Sequence, residues 1–114
     1  AEWRKQHLQS IEAERIVPEM RACLDRLQVR LHVTLPTNDL IGIVLHGCCM
    51  VDRVVSGEPS ITFNEREQYM AANEELFRTT KEVLGVLEGT YQMKLGDDEI
   101  CFMMRFFDEE RLHS

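Results

Sequence analysis

Hydrophobic side chains between positions 38 and 59 recur with the spacing of an α-helix. The residues that share one face of that helix, and so mark its buried side, are Leu40, Val44, Cys48, Val51 and Val55. Thr37 or Asn38 is a suitable N-cap, and Gly57 followed by Pro59 is a typical end signal. The pattern therefore predicts an amphipathic helix, which we call the histidine helix.

A histidine stands at the midpoint of the histidine helix, on the flank of its apolar face. The stripe next to that face consists of Asp39, Gly42, Ile43, His46, Cys49, Met50 and Arg53. Gly42 and Gly47 are expected to leave the helix surface near His46 low. We therefore predict that a partner molecule can reach the imidazole.

The segments before the histidine helix are also helical in pattern. Residues 2–15 are charged and favour a helix. Pro18 then either interrupts the backbone hydrogen-bond ladder or lies in the first turn of a new helix. An apolar stripe over residues 19–31 predicts the next helix, and Pro36 keeps the chain extended after it. His32 is placed to interact with the dipole at the end of that helix.

After the histidine helix, the pattern predicts three more helical segments. Asn64 and Glu67 form a capping box for the first, and residues 71–75 either continue this helix or bend it. A strongly amphipathic helix follows and ends near Gly89. The last helix begins in the acidic run 97–99, and its apolar positions are Ile100, Phe102, Met103, Phe106 and Phe107. Since no strand alternation or internal repeat is visible, we predict an all-α, compact bundle of about five helices.

Length and charge limit the kind of protein. With 114 residues the chain fits one domain, which we place at residues 17–109, between a helical lead-in or linker over 1–16 and a tail over 110–114. We expect it to be part of a longer protein. A net charge of -7 argues against binding to nucleic-acid phosphates, and no apolar run is long enough to cross a membrane.

The four cysteines indicate a reducing compartment. Cys23, Cys48, Cys49 and Cys101 form no CxxC pair and lie within apolar helical patterns, which favours free thiols in a cytoplasmic protein. The adjacent pair at 48 and 49 diverges by about 100° on a helix and is better suited to core packing than to a disulfide.

His46 and Cys49, one turn apart, suggest two further kinds of site. As metal ligands they supply two of the four that a structural zinc site needs. As base and nucleophile they lack an oxyanion hole, and no phosphate-binding loop or dinucleotide fingerprint is present. We therefore expect no enzyme, catalytic residue, metal or cofactor. The acidic runs 97–99 and 108–110 are better explained as a helix start and a solvated tail than as cation sites.

Four elements of the chain, in order, resemble the PTS regulation domain, or PRD, of bacterial transcription regulators. They are Leu45-His46 with Arg53 and Gly57, the run from Asn73 to Phe77, Leu87-Glu88 with Tyr91 to Leu95, and Asp98-Glu99-Ile100. The resemblance covers about residues 17–107. It favours LevR-like activators over BglG/LicT-like antiterminators, many of which have an acidic residue where Leu45 stands.

The resemblance implies a five-helix regulatory domain, commonly a homodimer, that does not itself contact nucleic acid. A family histidine accepts a phosphoryl group from the phosphocarrier HPr or a sugar-specific EIIB protein, and this controls the attached effector domain. His46 matches the first family histidine and is the expected phosphoacceptor. The second family histidine falls near Arg105 or Phe106 and is missing here.

The residue types fit such a switch. A neutral imidazole is a competent phosphoryl acceptor near physiological pH, and the phosphoryl group adds about -1.5 to -2 charges. Arg53 is a possible partner of that phosphate, in the same subunit or the opposite one, although two helical turns span about 10 Å. Two alternatives stay open: a constitutive dimerisation module with a structural His46, and a metal-binding helical domain.

Overall fold

The computed structural model describes residues 13–108, and within them it contains five α-helices and no strand. These are α1 (Ala13–Leu31), α2 (Thr37–Val55), α3 (Arg66–Ala72), α4 (Glu74–Tyr91) and α5 (Asp97–Met104). The predicted all-α class with about five helices is confirmed. The rest of the predicted lead-in and tail lies outside the described residues, and the division into lead-in, domain and tail stays a prediction. None of the helices in the described part is both long and apolar enough to cross a membrane.

The first of two compact units contains α1 and α2, which pack against each other. The side chains that α1 buries are Ile16, Met20, Cys23, Leu24 and Leu27. Pro18 lies inside α1. Its missing N–H removes one backbone hydrogen bond while the helix continues, so Pro18 interrupts the backbone hydrogen-bond ladder, the first of our two alternatives, and does not begin a new helix.

The second unit contains α3, α4 and α5, and α5 packs against both of the others. Asn73, with φ -135° and ψ 48°, separates α3 from α4, so residues 71–75 bend the helical segment. The Asn73 side-chain amide donates to the Tyr69 carbonyl at 3.0 Å, and the Asn73 carbonyl accepts from the Phe77 N–H at 2.9 Å. Asn73 thus satisfies backbone groups on both sides of the bend.

Several helix ends differ from the sequence prediction because the backbone, and not a side chain, forms them. α2 begins at Thr37 without a side-chain capping bond. The capping box of Asn64 and Glu67 does not form, because the N-cap of α3 is Glu65, whose φ is 58°. α4 continues past Gly89, and α5 ends before the last two predicted apolar positions.

The loops after α1 and α4 share one geometry. Each begins with a residue in the left-handed conformation, His32 with φ 58° and Gln92 with φ 54°. The N–H of the next residue then returns to a helix carbonyl five positions earlier, at 3.0 Å and 3.1 Å. This is the Schellman way of ending a helix, so the backbone of His32 closes α1. The predicted interaction of His32 with the helix dipole stays a prediction.

A polar side chain clamps each of these two loops at the same position. Gln28 Oε1 accepts from the Leu35 N–H, and Glu88 Oε2 accepts from the Leu95 N–H, both at 2.8 Å. Both leucines are buried. Equivalent residues are sixty positions apart, so each unit contains the same helix–loop–helix motif, although the sequence shows no repeat. Gln and Glu differ in charge, but they supply the same acceptor.

Candidate functional site

His46 is exposed on α2, together with a group of apolar side chains. Ile41 is 53% exposed and Leu45 is 56% exposed, and Cys49 is exposed beside them. Helical spacing puts these residues on one side of α2. Gly42 adds open space, since a Cβ built there meets nothing within 4 Å. We call these five residues the α2 outer face.

The opposite side of α2 packs closely. Gly47 is buried, and a Cβ on it would lie 2.5 Å from the Met20 Sδ. Gly47 therefore allows close approach of α1, and our prediction that it lowers the surface near the histidine is wrong. Ile43 and Met50, which we placed on the histidine's stripe, are also buried, whereas Val55, predicted to be buried, is 41% exposed.

Arg53 lies on α2 two turns after His46 and is partly exposed. The rise of an α-helix separates the two residues by about 10 Å along the axis. Because helical side chains lean toward the N-terminus, an extended Arg53 points in the direction of His46. Both residues therefore belong to α2, but their side chains can meet only if the Arg53 side chain is fully extended along the helix.

The two adjacent cysteines near His46 have different environments. Cys48 is buried and Cys49 is exposed, so our interpretation of both as core residues is correct only for Cys48. Burial raises the pKa of the Cys48 thiol to about 11. Within residues 13–108, no three His, Cys, Asp or Glu side chains are grouped so that they could hold a metal ion.

A second polar cluster, which sequence analysis missed, links α3 to the residues after α5. The Tyr69 hydroxyl donates to Asp108 Oδ2 at 2.7 Å, and the Arg105 Nε lies 3.4 Å from the same oxygen. Asp108 is 4% exposed, which corrects its assignment to a solvated tail. Burial, together with the hydrogen bond to Asp108, raises the pKa of Tyr69 above its usual range. The apolar run that ends at Phe107 was the available signal that the core extends this far.

Asp98 ties the start of α5 to α3. Its Oδ1 accepts from the Phe63 N–H at 3.3 Å and from the Arg66 Nη1 at 3.2 Å. The acidic run 97–99 forms the first turn of α5, as predicted, but its last residue, Glu99, is only 1% exposed. These contacts fix the beginning of α5 against the loop before α3.

The chain matches the model of the PRD domain over residues 21–110. It belongs to the PRD domain family. It is also 26% identical over 106 residues to the "Transcriptional regulatory protein LevR" of Bacillus subtilis (strain 168), a match that covers 93% of this chain and 11% of that protein. The chain thus spans about a tenth of the length of the curated relative it matches. No solved structure matches it.

These matches confirm the predicted family and the LevR-like character of this PRD. The offset of sixty residues between the two loops can be compared with the position at which the resemblance predicts a second histidine. Sixty positions after His46 comes Phe106, which follows the end of α5 and does not lie within a helix. This offset agrees with the prediction that the missing second histidine falls near Arg105 or Phe106.

Proposed function

We propose that this PRD is the regulatory domain of a bacterial transcription regulator and that the sugar phosphotransferase system phosphorylates it on His46. The observation that carries the proposal is the exposure of His46 on the α2 outer face. Family membership and similarity to a transcriptional regulatory protein support the regulatory role. The donor is the phosphocarrier HPr or a sugar-specific EIIB protein, and the phosphoryl group controls the attached effector domain.

The α2 outer face suits phosphoryl transfer from another protein. A ring nitrogen of neutral His46 attacks the phosphorus while the bond between phosphorus and the donor atom breaks. The transfer requires that the donor side chain come within bonding distance of the ring, and the space beside Gly42 allows that approach. The apolar side chains of Ile41 and Leu45 provide a surface on which a donor protein can rest.

Phosphorylation changes this face electrostatically. The new group brings about -1.5 to -2 charges to a surface whose largest exposed side chains are apolar. When another protein binds over the face, this negative charge must be paired with a positive group. An unpaired charge would oppose binding. Arg53 is the proposed partner, either from the same helix or from the α2 of a second subunit. The modification then changes how strongly the face associates with another protein.

A constitutive homodimerisation module is the second candidate, and the apolar part of the same face favours it. Beside Ile41 and Leu45, a groove of about 310 Å³ is lined by Val17 and Pro18 of α1 and by Leu40 and Val44 of α2. Two copies that pair through this surface would bury apolar area that is now exposed. In this candidate His46 is structural and carries no phosphate.

Phosphorylation is tested with the purified chain, phosphoenolpyruvate, enzyme I and HPr, with and without an EIIB protein. We expect one acid-labile phosphoryl group per chain, and none in His46→Ala. His32→Asn is the matched control, because His32 is also exposed and asparagine tolerates its left-handed backbone. Undiminished labelling of His46→Ala, or no labelling of the wild type by either donor, rejects the proposal.

Sedimentation of unmodified protein tests the second candidate. We expect the wild type to sediment as a dimer and Leu45→Glu as a monomer with an unchanged circular dichroism spectrum, because the new charge is buried without a partner in the dimer. A wild type that stays monomeric at all accessible concentrations rejects the dimerisation module, whatever the result of the labelling experiment.

A further inference from the structure

A cleft of about 450 Å³ lies in the second unit, between the start of α3 and the end of α5. Its floor is aromatic. The Phe63 ring centroid is 4.9 Å from that of Tyr69 and 4.9 Å from that of Phe102, which is 36% exposed. The volume lies in the range of small-ligand sites, and the lining combines aromatic rings with polar side chains. Neither candidate function uses it.

Arg105 brings a positive charge to this cleft, and a buried carboxylate orients it. The Arg105 Nε lies 3.4 Å from Asp108 Oδ2, which the Tyr69 hydroxyl also holds. The arginine side chain is 54% exposed, and within residues 13–108 its two terminal nitrogens have no other partner. A guanidinium that faces a carboxylate with its Nε leaves its two terminal nitrogens as a fork that matches the oxygens of a phosphate or carboxylate.

The other polar groups of the cleft complete a set of donors, with one exception. Asn64 and Gln68 contribute side-chain amides, which can donate to an anion. Glu65 also lines the cleft, and its carboxylate opposes an anion. The Glu65 backbone is left-handed, with φ 58°, and such strained non-glycine residues concentrate at ligand sites. Because Glu65 is exposed, solvent weakens its repulsion without removing it.

We propose that this cleft binds a phosphoryl group carried on a flat ring. The phosphoryl oxygens face the guanidinium of Arg105, and the ring packs against Phe63 and Phe102. Asn64 donates to an oxygen that the arginine leaves open. The ligand class includes aryl phosphates and the phosphorylated imidazole of a histidine. Every residue involved belongs to the second unit, so the inference does not depend on the phosphorylation of His46.

The test is a titration of the isotope-labelled chain followed by NMR, with phenyl phosphate, inorganic phosphate and phenol as separate ligands. We expect saturable shifts at Phe63, Phe102 and Arg105 with phenyl phosphate. Stacking of the ring should make this binding roughly threefold to tenfold tighter than that of inorganic phosphate. Phosphoimidazole is the fourth arm: tighter binding of it than of phenyl phosphate assigns the site to phosphohistidine, and the reverse order assigns it to a soluble aryl phosphate.

Variants of the cleft residues distinguish specific binding in the cleft from nonspecific electrostatic attraction of the ligand to the protein surface. Arg105→Gln should weaken phenyl phosphate binding by at least about tenfold, because it removes a charge-assisted hydrogen bond. Glu65→Gln should strengthen binding, because it removes the opposing carboxylate. Arg78→Gln is the matched control, since Arg78 is an exposed arginine of α4 that pairs with Glu75, and it should leave the affinity unchanged.

Three results would overturn the proposal. They are the absence of saturable binding of phenyl phosphate, equal affinities for phenol and phenyl phosphate, and an unchanged affinity in Arg105→Gln. If Arg105→Gln does not fold, Arg105→Lys replaces it. The lysine keeps a charge near Asp108 but lacks the fork, so it should still bind more weakly than the wild type.

Discussion

Because Gly47 lies against Met20, a methyl group added at position 47 of α2 should destabilise the fold. A Cβ at position 47 would lie 2.5 Å from the Met20 Sδ, 2.9 Å from its Cε and 3.0 Å from its Cγ. Met20 is fully buried, so its flexible side chain can move aside only by displacing the side chains packed around it. Gly42, in the same helix, has nothing within 4 Å of its built Cβ. The two glycines are therefore a matched pair for one substitution to alanine.

The expected magnitudes follow from two opposing effects. Replacing glycine by alanine inside a helix stabilises it by roughly 0.5–1 kcal/mol, and Gly42→Ala should show this gain alone. Gly47→Ala receives the same gain but also overpacks the core, which typically costs about 1–3 kcal/mol. We expect Gly47→Ala to lower the free energy of unfolding by about 1 kcal/mol, so that the two variants differ by about 2 kcal/mol.

Urea denaturation followed by circular dichroism measures this difference, provided that the slope of the unfolding free energy against urea stays constant. Met20→Ala combined with Gly47→Ala is the coupling control. The two changes together should cost less than the sum of their separate costs, because the shortened side chain removes the clash. If Gly47→Ala is as stabilising as Gly42→Ala, the close approach of α1 to α2 described above is wrong.

Four further predictions concern loops, buried polar groups and thiols. Gln28→Ala and Glu88→Ala should each lower the free energy of unfolding, measured in urea, by about 1 kcal/mol, because each leaves a loop N–H without its acceptor. Glu88→Gln keeps an acceptor oxygen and should be nearly neutral. If Glu88→Gln loses as much stability as Glu88→Ala, the proposed clamp is contradicted. Gln92→Gly should raise the free energy of unfolding by up to about 1 kcal/mol, because glycine relieves the left-handed backbone; a decrease in thermal midpoint would refute this. Tyr69→Phe should lower the free energy of unfolding by about 1–3 kcal/mol, because the buried Asp108 carboxylate loses a hydrogen-bond donor. An unchanged urea midpoint would show that this hydrogen bond does not stabilise the fold. With Ellman's reagent, one thiol of the native chain should react quickly, and this fast phase should vanish in Cys49→Ser. The three buried thiols should react only after unfolding. Two or more fast thiols in the native chain would contradict the burial of these three cysteines.

The hydrophobic pattern was enough to predict the helices and the side of α2 on which His46 lies. Leu40, Val44 and Val51 are buried as their spacing predicted, because an amphipathic helix has one way to bury its apolar side. The prediction for Val55 was wrong because the hydrophobic periodicity continues to the last residue of α2, whereas the helix that packs against α2 does not cover that end. The sequence could not distinguish Gly42 from Gly47, because the difference depends on where α1 crosses α2.

Side-chain capping and tertiary polar contacts were the harder part. Asn64 and Glu67 have the spacing of a capping box, but the left-handed Glu65 starts α3 in a different geometry. Asp108 looked like the first residue of a solvated tail because its partner, Tyr69, is distant in sequence. The bond between Tyr69 and Asp108 leaves no local signal, since a hydrogen bond between distant positions has no periodicity along the chain.

The short α5 limits what a single substitution at position 106 can do. α2 has 19 residues, so His46 has full helical turns on both sides, whereas α5 has 8 residues and stops at Met104. Phe106→His would put an imidazole in a turn, where the ring would not be presented as His46 is. Two matching rings would also require a longer α5, so one substitution does not make the two halves alike.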